Sequence, residues 1–289
     1  MGLRSILLAL LFTAGCRVAP APRPSPVAQE PSAQSLTVRR AGAVIELSCA
    51  RPDTAVLGPL GSGLLEAAGL IARWGSLRGT VRVEVLPDHA ALELAVGKPG
   101  HAWLRGWSYG DRVLLQSPRT WESGKAEPEA LLELLTHELT HSLMYQLLEP
   151  DDLADGAALV LGEEPPLWFR EGMASVTADQ GKKRLTPGEL REWLSAHPGK
   201  NPLDPDAELV RTEKEAVYGA AHRAFERLLE LGGDQAVRDV LRGMRSGARF
   251  TDAFAAATGK QAGDFERAAL QSGFAPDAVR KPATGAGGP

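Results

Sequence analysis

Residues 135–141 read Leu135-Thr136-His137-Glu138-Leu139-Thr140-His141, the pattern H-E-x-x-H inside an apolar run with helical period. Residues four apart stand one above the other on an α-helix, so His137 and His141 can offer imidazole nitrogens to one point. Glu138 projects beside that point without having to be a ligand. Two neutral imidazoles and an adjacent carboxylate form half of a zinc hydrolase site. On a surface helix the same letters would be two solvated histidines, so the flanks decide. Pro128-Glu129-Ala130 opens the helix with proline and a carboxylate at the positive end of its dipole. Leu131, Leu132, Leu135, Leu139, Leu143, Met144 and Leu147 continue the apolar stripe, and Pro150 ends it. The histidines thus lie on a largely buried helix, where polar groups need partners.

A catalytic zinc takes three protein ligands and keeps one position open. The best downstream candidate is Glu171, in Pro165-Pro166-Leu167-Trp168-Phe169-Arg170-Glu171-Gly172-Met173-Ala174-Ser175. Two prolines break the chain ahead of a second helix that carries Glu171 in its first turns. The competing reading is a surface salt bridge, with Arg170 as a partner.

H-E-L-T-H followed by W-F-R-E-G-M-A resembles the gluzincins, the thermolysin-like zinc metallopeptidases, and within them the bacterial peptidase MA-like group. The resemblance covers roughly residues 36–273. Gly106 to Pro118 is similar to the strand that precedes the zinc helix in that group. Val217-Tyr218-Gly219-Ala220-Ala221-His222-Arg223-Ala224-Phe225, with Gly232-Gly233 after it, resembles the helix that follows the third ligand. Carried over by position, the resemblance implies that His137, His141 and Glu171 bind Zn2+ and that Glu138 is the general base. It also implies a tyrosine or histidine that stabilises the oxyanion. Tyr218 is the candidate and His222, one turn later, its rival; Tyr218 also reads as a packed aromatic of the C-terminal helices. The fold implied is α+β, a thermolysin-like zincin with a sheet-containing lobe (36–127), a helical lobe (128–275) and the zinc cleft between them.

The segments fit that layout. Leu36-Thr37-Val38, Val44 to Leu47, Thr80 to Val85 and Arg112 to Gln116 read as strands, and Leu64 to Trp74 and Asp88 to Val96 as helices. Thr186-Pro187-Gly188-Glu189 and Thr212-Glu213-Lys214-Glu215 read as capping boxes. Helices near Gln235–Met244 and Ala262–Leu270 complete an all-helical second half. The acidic stretch Glu149 to Glu164 reads as a connector. Trp103, Trp107 and Tyr109 precede the Arg112 strand, whose edge would pair with an extended peptide by β-augmentation if the resemblance holds; Trp103 also reads as a core aromatic.

Met1-Gly2-Leu3-Arg4 and the apolar Ser5 to Phe12 read as a signal peptide (1–15), too short to span a bilayer. Ala14-Gly15-Cys16 resembles the bacterial lipobox, with Thr13 departing from the usual leucine; an ordinary signal peptide is the alternative. A lipid on Cys16 would anchor the chain without a transmembrane helix, and no other segment reads as apolar enough to span. Residues 16–35, rich in Pro and Ala, read as an extended tether, and 276–289 as a disordered tail. Arg17 after the lipid cysteine leans toward an outer membrane. Between tether and tail, 44% hydrophobic content over the chain supports a real core, and a net charge of -4 argues against nucleic-acid binding. With Cys16 lipidated, Cys49 has no partner for a disulfide and reads as a buried small hydrophobe.

The function expected is a zinc-dependent peptidase at the bacterial cell envelope, acting on a peptide or protein substrate. The alternative is a catalytically inactive zincin-fold lipoprotein that binds or scaffolds. Glu138 argues for the first, since a binding protein needs no general base beside its metal. No motif for recognising an N-terminal amine stands out, and substrate and oligomeric state are not legible.

Overall fold

The computed structural model describes residues 34–40, 42–122, 127–150 and 163–274. The signal peptide, Cys16, nearly all of the tether, residues 151–162 of the acidic connector and the tail from 275 on lie outside the described residues.

The first part is a five-stranded mixed sheet in the order β1-β2-β3-β5-β4. β1 (Gln34–Arg40) and β2 (Ala43–Cys49) form an antiparallel hairpin, β2 runs parallel to β3 (Gly79–Leu86), and β3 runs parallel to β5 (Arg112–Gln116). β4 (Gly106–Tyr109) closes the order as an antiparallel edge strand on β5. Period-two alternation assigns the two faces. Val81, Val83, Val113 and Leu115 point into the main core, whereas Leu86 and Leu114 point to a smaller cluster with Leu92 and Leu104. Leu92 comes from α2 (His89–Val96), which Asp88 caps by accepting from the Ala91 N–H at 2.9 Å and which Gly97 ends in the left-handed region.

Helix α1 (Leu57–Leu70) and α3 (Pro128–Leu148) pack against each other over the main face of the sheet. α3 is buried nearly all round, because α4 (Leu167–Thr177) and α7 (Lys214–Arg245) cover its other side. Gln146, near its end, accepts from the Arg78 N–H at 2.8 Å and donates to the Arg78 carbonyl at 3.1 Å, pinning α3 to the approach of β3. Then follow α5 (Pro187–Ala196), α6 (Ala207–Thr212), α7, which breaks at Gly233, α8 (Phe250–Thr258) and α9 (Ala262–Gln271). Trp168 and Phe169 of α4 bind this half together through edge contacts with Phe225, Phe250 and Phe254, at centroid distances of 5.4–6.2 Å.

The structure is α+β, and among the described residues all strands come before α3 and only helices after it. Four expectations change. Gly106 to Pro118 is a hairpin rather than one strand, turning at Gly110 (φ 57°). The strand at Arg112 is therefore interior, with both edges hydrogen-bonded, and cannot take an added peptide strand; β4 holds the edge. The capping box at Thr186 is present, but the one at Thr212 is not: Thr212 ends α6, donating its hydroxyl to the Glu208 carbonyl, and Glu213 stands at the start of α7. Finally, Arg51–Arg73, with mean hydropathy 1.5, is long and apolar enough to cross a membrane by length and composition. Here it buries Leu60, Leu64, Ala67 and Ile71 in the core.

Candidate metal centre

One helical turn on α3 brings His137 Nε2 and His141 Nε2 to 3.2 Å. α4 starts behind Pro165-Pro166 and carries Glu171, whose Oε2 lies 3.3 Å from His137 Nε2 and 3.6 Å from His141 Nε2. Gly172 makes this approach possible. A Cβ there would stand 2.5 Å from the Ala221 carbonyl oxygen and 2.6 Å from Phe225 Cβ, so only glycine lets α4 lie this close to α7. Arg170 does not pair with Glu171; its Nη1 turns to Glu164 Oε2 at 3.1 Å.

These spacings fit a tetrahedral ion. Bonds of about 2.0–2.1 Å from zinc to nitrogen and oxygen place neighbouring ligand atoms roughly 3.3 Å apart, and the three observed edges are 3.2, 3.3 and 3.6 Å. Two imidazoles and one carboxylate match the donor set of catalytic zinc, which keeps a fourth position open. The three side chains also act on one another electrostatically. Burial pushes the Glu171 carboxyl up, but the charge of His141 and hydrogen bonds from both histidines outweigh it and hold the carboxyl well below its usual range. Burial pulls the His141 imidazole down, and Glu171 and then Glu138 overcome that and raise it. Metal binding must displace protons from this cluster.

Glu138 stays outside the ligand triad and is buried. Ser108 Oγ donates to its Oε2 at 2.7 Å. Gly106, two residues earlier on β4, faces the same carboxylate: a Cβ there would stand 2.6 Å from Glu138 Oε1. The edge strand thus receives Glu138 with one hydroxyl and one missing side chain.

Two cavities meet at this point. The smaller, about 100 Å³, reaches His137, Glu138, His141 and Glu171 under Trp107 and Arg170. The larger, about 310 Å³, runs from His137 and Glu138 along the first half of α3 to Arg184 and Tyr218. Tyr218 lines both, and its ring meets Trp103 edge-on with centroids 5.5 Å apart. Burial, then the Glu171 and Glu138 carboxylates, hold its phenol well above the ordinary value, so it keeps its proton as a donor. His222 lines neither cavity. It is buried in the α4–α7 seam, with Nδ1 2.9 Å from Ser175 Oγ and Nε2 3.4 Å from Glu226 Oε1.

No family model and no curated protein matches the chain. Solved structures do. Aminopeptidase A of Legionella pneumophila, in complex with aspartic acid, is 13% identical, with a TM-score of 0.48 over 85% of this chain and 28% of its own. A mutant of the M1 zinc metallopeptidase from Deinococcus radiodurans is 14% identical, with a TM-score of 0.45 over 86% of this chain and 53% of its own. The unmutated Deinococcus radiodurans enzyme scores 0.42 at 12% identity, over 89% of this chain and 54% of its own. The chain therefore spans between about a quarter and half of the length of the structures it resembles.

Sequence reading missed three residues that face this site: Ser108, Gly106 and Arg184. Strand alternation puts Gly106 and Ser108 on one face of G-W-S-Y, a signal available once that segment is recognised as a strand of its own. Arg184 sits outside any motif, and only the fold brings it to the cavity.

Proposed function

We propose that this chain is a zinc-dependent peptidase. The observation that carries the reading is the His137–His141–Glu171 triangle, spaced as three corners of a zinc tetrahedron, with Glu138 beside it and bound by Ser108. The sheet-bearing part and the helical part are then the two walls of a thermolysin-like cleft. The chemistry such an ion supplies when bound is Lewis acidity, acting on water and on a carbonyl. Glu138 takes the proton of the attacking water at a carboxylate oxygen and returns it to the leaving amine. Ser108 fixes that carboxylate by donating its hydroxyl hydrogen to Oε2. Tyr218 donates its phenolic hydrogen to the oxyanion that forms at the attacked carbon. The peptide extends along β4, the edge strand beside Glu138.

A lipid on Cys16 and the tether behind it hold the enzyme at the bacterial cell envelope, following the lipobox-like Ala14-Gly15-Cys16. The inactive-lipoprotein alternative leaves the Ser108–Glu138 contact without a use.

Glu138→Gln tests the chemistry. The variant is expected to keep one bound zinc by metal analysis and to cut no peptide in a mixed library that the natural chain digests; hydrolysis that persists overturns the reading. Cys16→Ala tests the address, by moving the protein from the membrane fraction to the soluble one.

A further inference from the structure

The larger cavity carries a charge that the reaction at Glu138 does not use. Of the four cations that line it, Lys183 Nζ lies 2.5 Å from Glu133 Oε2, Lys214 Nζ lies 3.3 Å from Glu215 Oε1, and Arg105 spends Nη1 on the Ala102 and Leu104 carbonyls at 2.9 and 3.1 Å. Arg184 differs from the two lysines in having no carboxylate, and from Arg105 in being fixed by side chains rather than by its own neighbouring backbone. Among the described residues no carboxylate lies within ion-pair distance of its guanidinium. Neutral groups hold it: Nε donates to Ser175 Oγ at 3.1 Å and Nη2 to Gln180 Oε1, while its central carbon stands 5.5 Å from the Tyr218 ring centroid. Nη1 donates to nothing among the described residues, yet it is not sealed away as a buried orphan. A guanidinium presents five N–H donors in a rigid fork, so Nη1 keeps its hydrogens free on a side chain that lines the cavity. Burial weakens the charge first, with Glu171 and Glu215 opposing from further off. A partly desolvated cation held only by neutral acceptors gains most from an anion that arrives with the ligand. The same cavity is walled by Trp103, Trp121 and Leu134, which suit an apolar body.

We propose that Arg184 is the receptor for a carboxylate of the peptide substrate, bound in the cavity that adjoins the metal centre. What the ligand is rests on the peptidase reading above; the free Nη1 of Arg184 does not. The carboxylate is either the C-terminus of the peptide or an Asp or Glu side chain near the scissile bond. Both place an anion and an apolar group in one pocket.

The test is calorimetric titration of the zinc-loaded chain with 2-benzylsuccinate, which has two carboxylates, and with 3-phenylpropanoate, which has one. The natural protein is expected to prefer the dicarboxylate at least about tenfold. Arg184→Gln should weaken the dicarboxylate by about 10- to 100-fold, the usual worth of a hydrogen bond to a charged group, and leave the monocarboxylate unchanged. Arg184→Lys, which keeps the charge without the fork, should fall between. No preference in the natural protein, or a preference that survives both substitutions, overturns the proposal.

Peptides then separate the two sources. Loss of cleavage on amidating the C-terminus identifies the terminal carboxylate, and loss on replacing Asp or Glu by Asn or Gln identifies the side chain; cleavage indifferent to both overturns the proposal and leaves the peptidase reading intact. If no peptide is cut while the dicarboxylate preference still depends on Arg184, the peptidase reading fails and the receptor stands.

Discussion

Ser108 Oγ donates to Glu138 Oε2 across 2.7 Å, and this contact joins the sheet edge to α3. Both side chains are largely buried, and the low local dielectric strengthens the bond. A general base works only if its carboxylate stays where the proton is. Ser108→Ala is expected to lower kcat about tenfold, within the range for losing a hydrogen bond to a charged group, with KM and zinc content unchanged. Ser108→Thr, which retains the hydroxyl, should recover most of the loss. Steady-state kinetics with metal analysis decides, and equal kcat in all three proteins would refute a positioning role.

The proposed zinc triangle needs Glu171 as its third corner, so removing Glu171 should uncouple folding stability from metal. A ligand that binds only the folded state stabilises it by about 2.7 kcal/mol at a free concentration 100-fold above Kd. For a domain of this size that is roughly 5–10 °C in Tm. Titrating zinc into the metal-free natural chain should raise Tm by that amount. Glu171→Ala should show no rise at the same zinc concentration.

Gly172 tests whether the α4–α7 seam sets the position of Glu171. The Cβ of Gly172→Ala would enter at 2.5 Å from the Ala221 carbonyl oxygen, and a backbone atom cannot rotate away. The expected cost is about 1–3 kcal/mol of overpacking strain, read by denaturant titration. Zinc affinity should fall as well, because α4 must move and carries the ligand one residue away. A variant with unchanged stability would show that the seam is looser than drawn.

Glu226 links the same seam to pH. Burial raises its carboxyl, but hydrogen bonds from His222 and Arg223 and their charges outweigh that and bring it from 4.5 to about 2. A carboxyl depressed in the folded state adds stability that is present above its unfolded value and is lost as pH falls through the folded one. Stability should therefore decline between about pH 4.5 and pH 2. Glu226→Gln should be less stable than the natural chain at pH 7 and should decline less over that window. Parallel curves for the two proteins would contradict the assignment.

The local chemistry of this protein was legible in its sequence. The four-residue step from His137 to His141 is a property of any helix, and the alternation in Thr80 to Val85 and in Arg112 to Gln116 is a property of any strand. The Thr186 capping box likewise needs only four consecutive residues. Two local readings failed where a competing pattern was equally short: Thr212 faces back into α6 instead of opening α7, and Gly110 turns the chain where one strand was expected.

What only the tertiary structure decided were the pairings between distant segments. Tyr218 and His222 lie four residues apart on one helix, yet packing turns His222 to Ser175 and Glu226 while Tyr218 lines the cavities beside His137. Sequence named Glu171 as a ligand, but its 3.3 Å and 3.6 Å approaches depend on Gly172 meeting α7. The Ser108–Glu138 bond and the free Nη1 of Arg184 have no trace in any local pattern. Periodicity fixes which way a side chain points from its own element, whereas what it meets is set by how the elements pack, and that depends on contacts far apart in the chain.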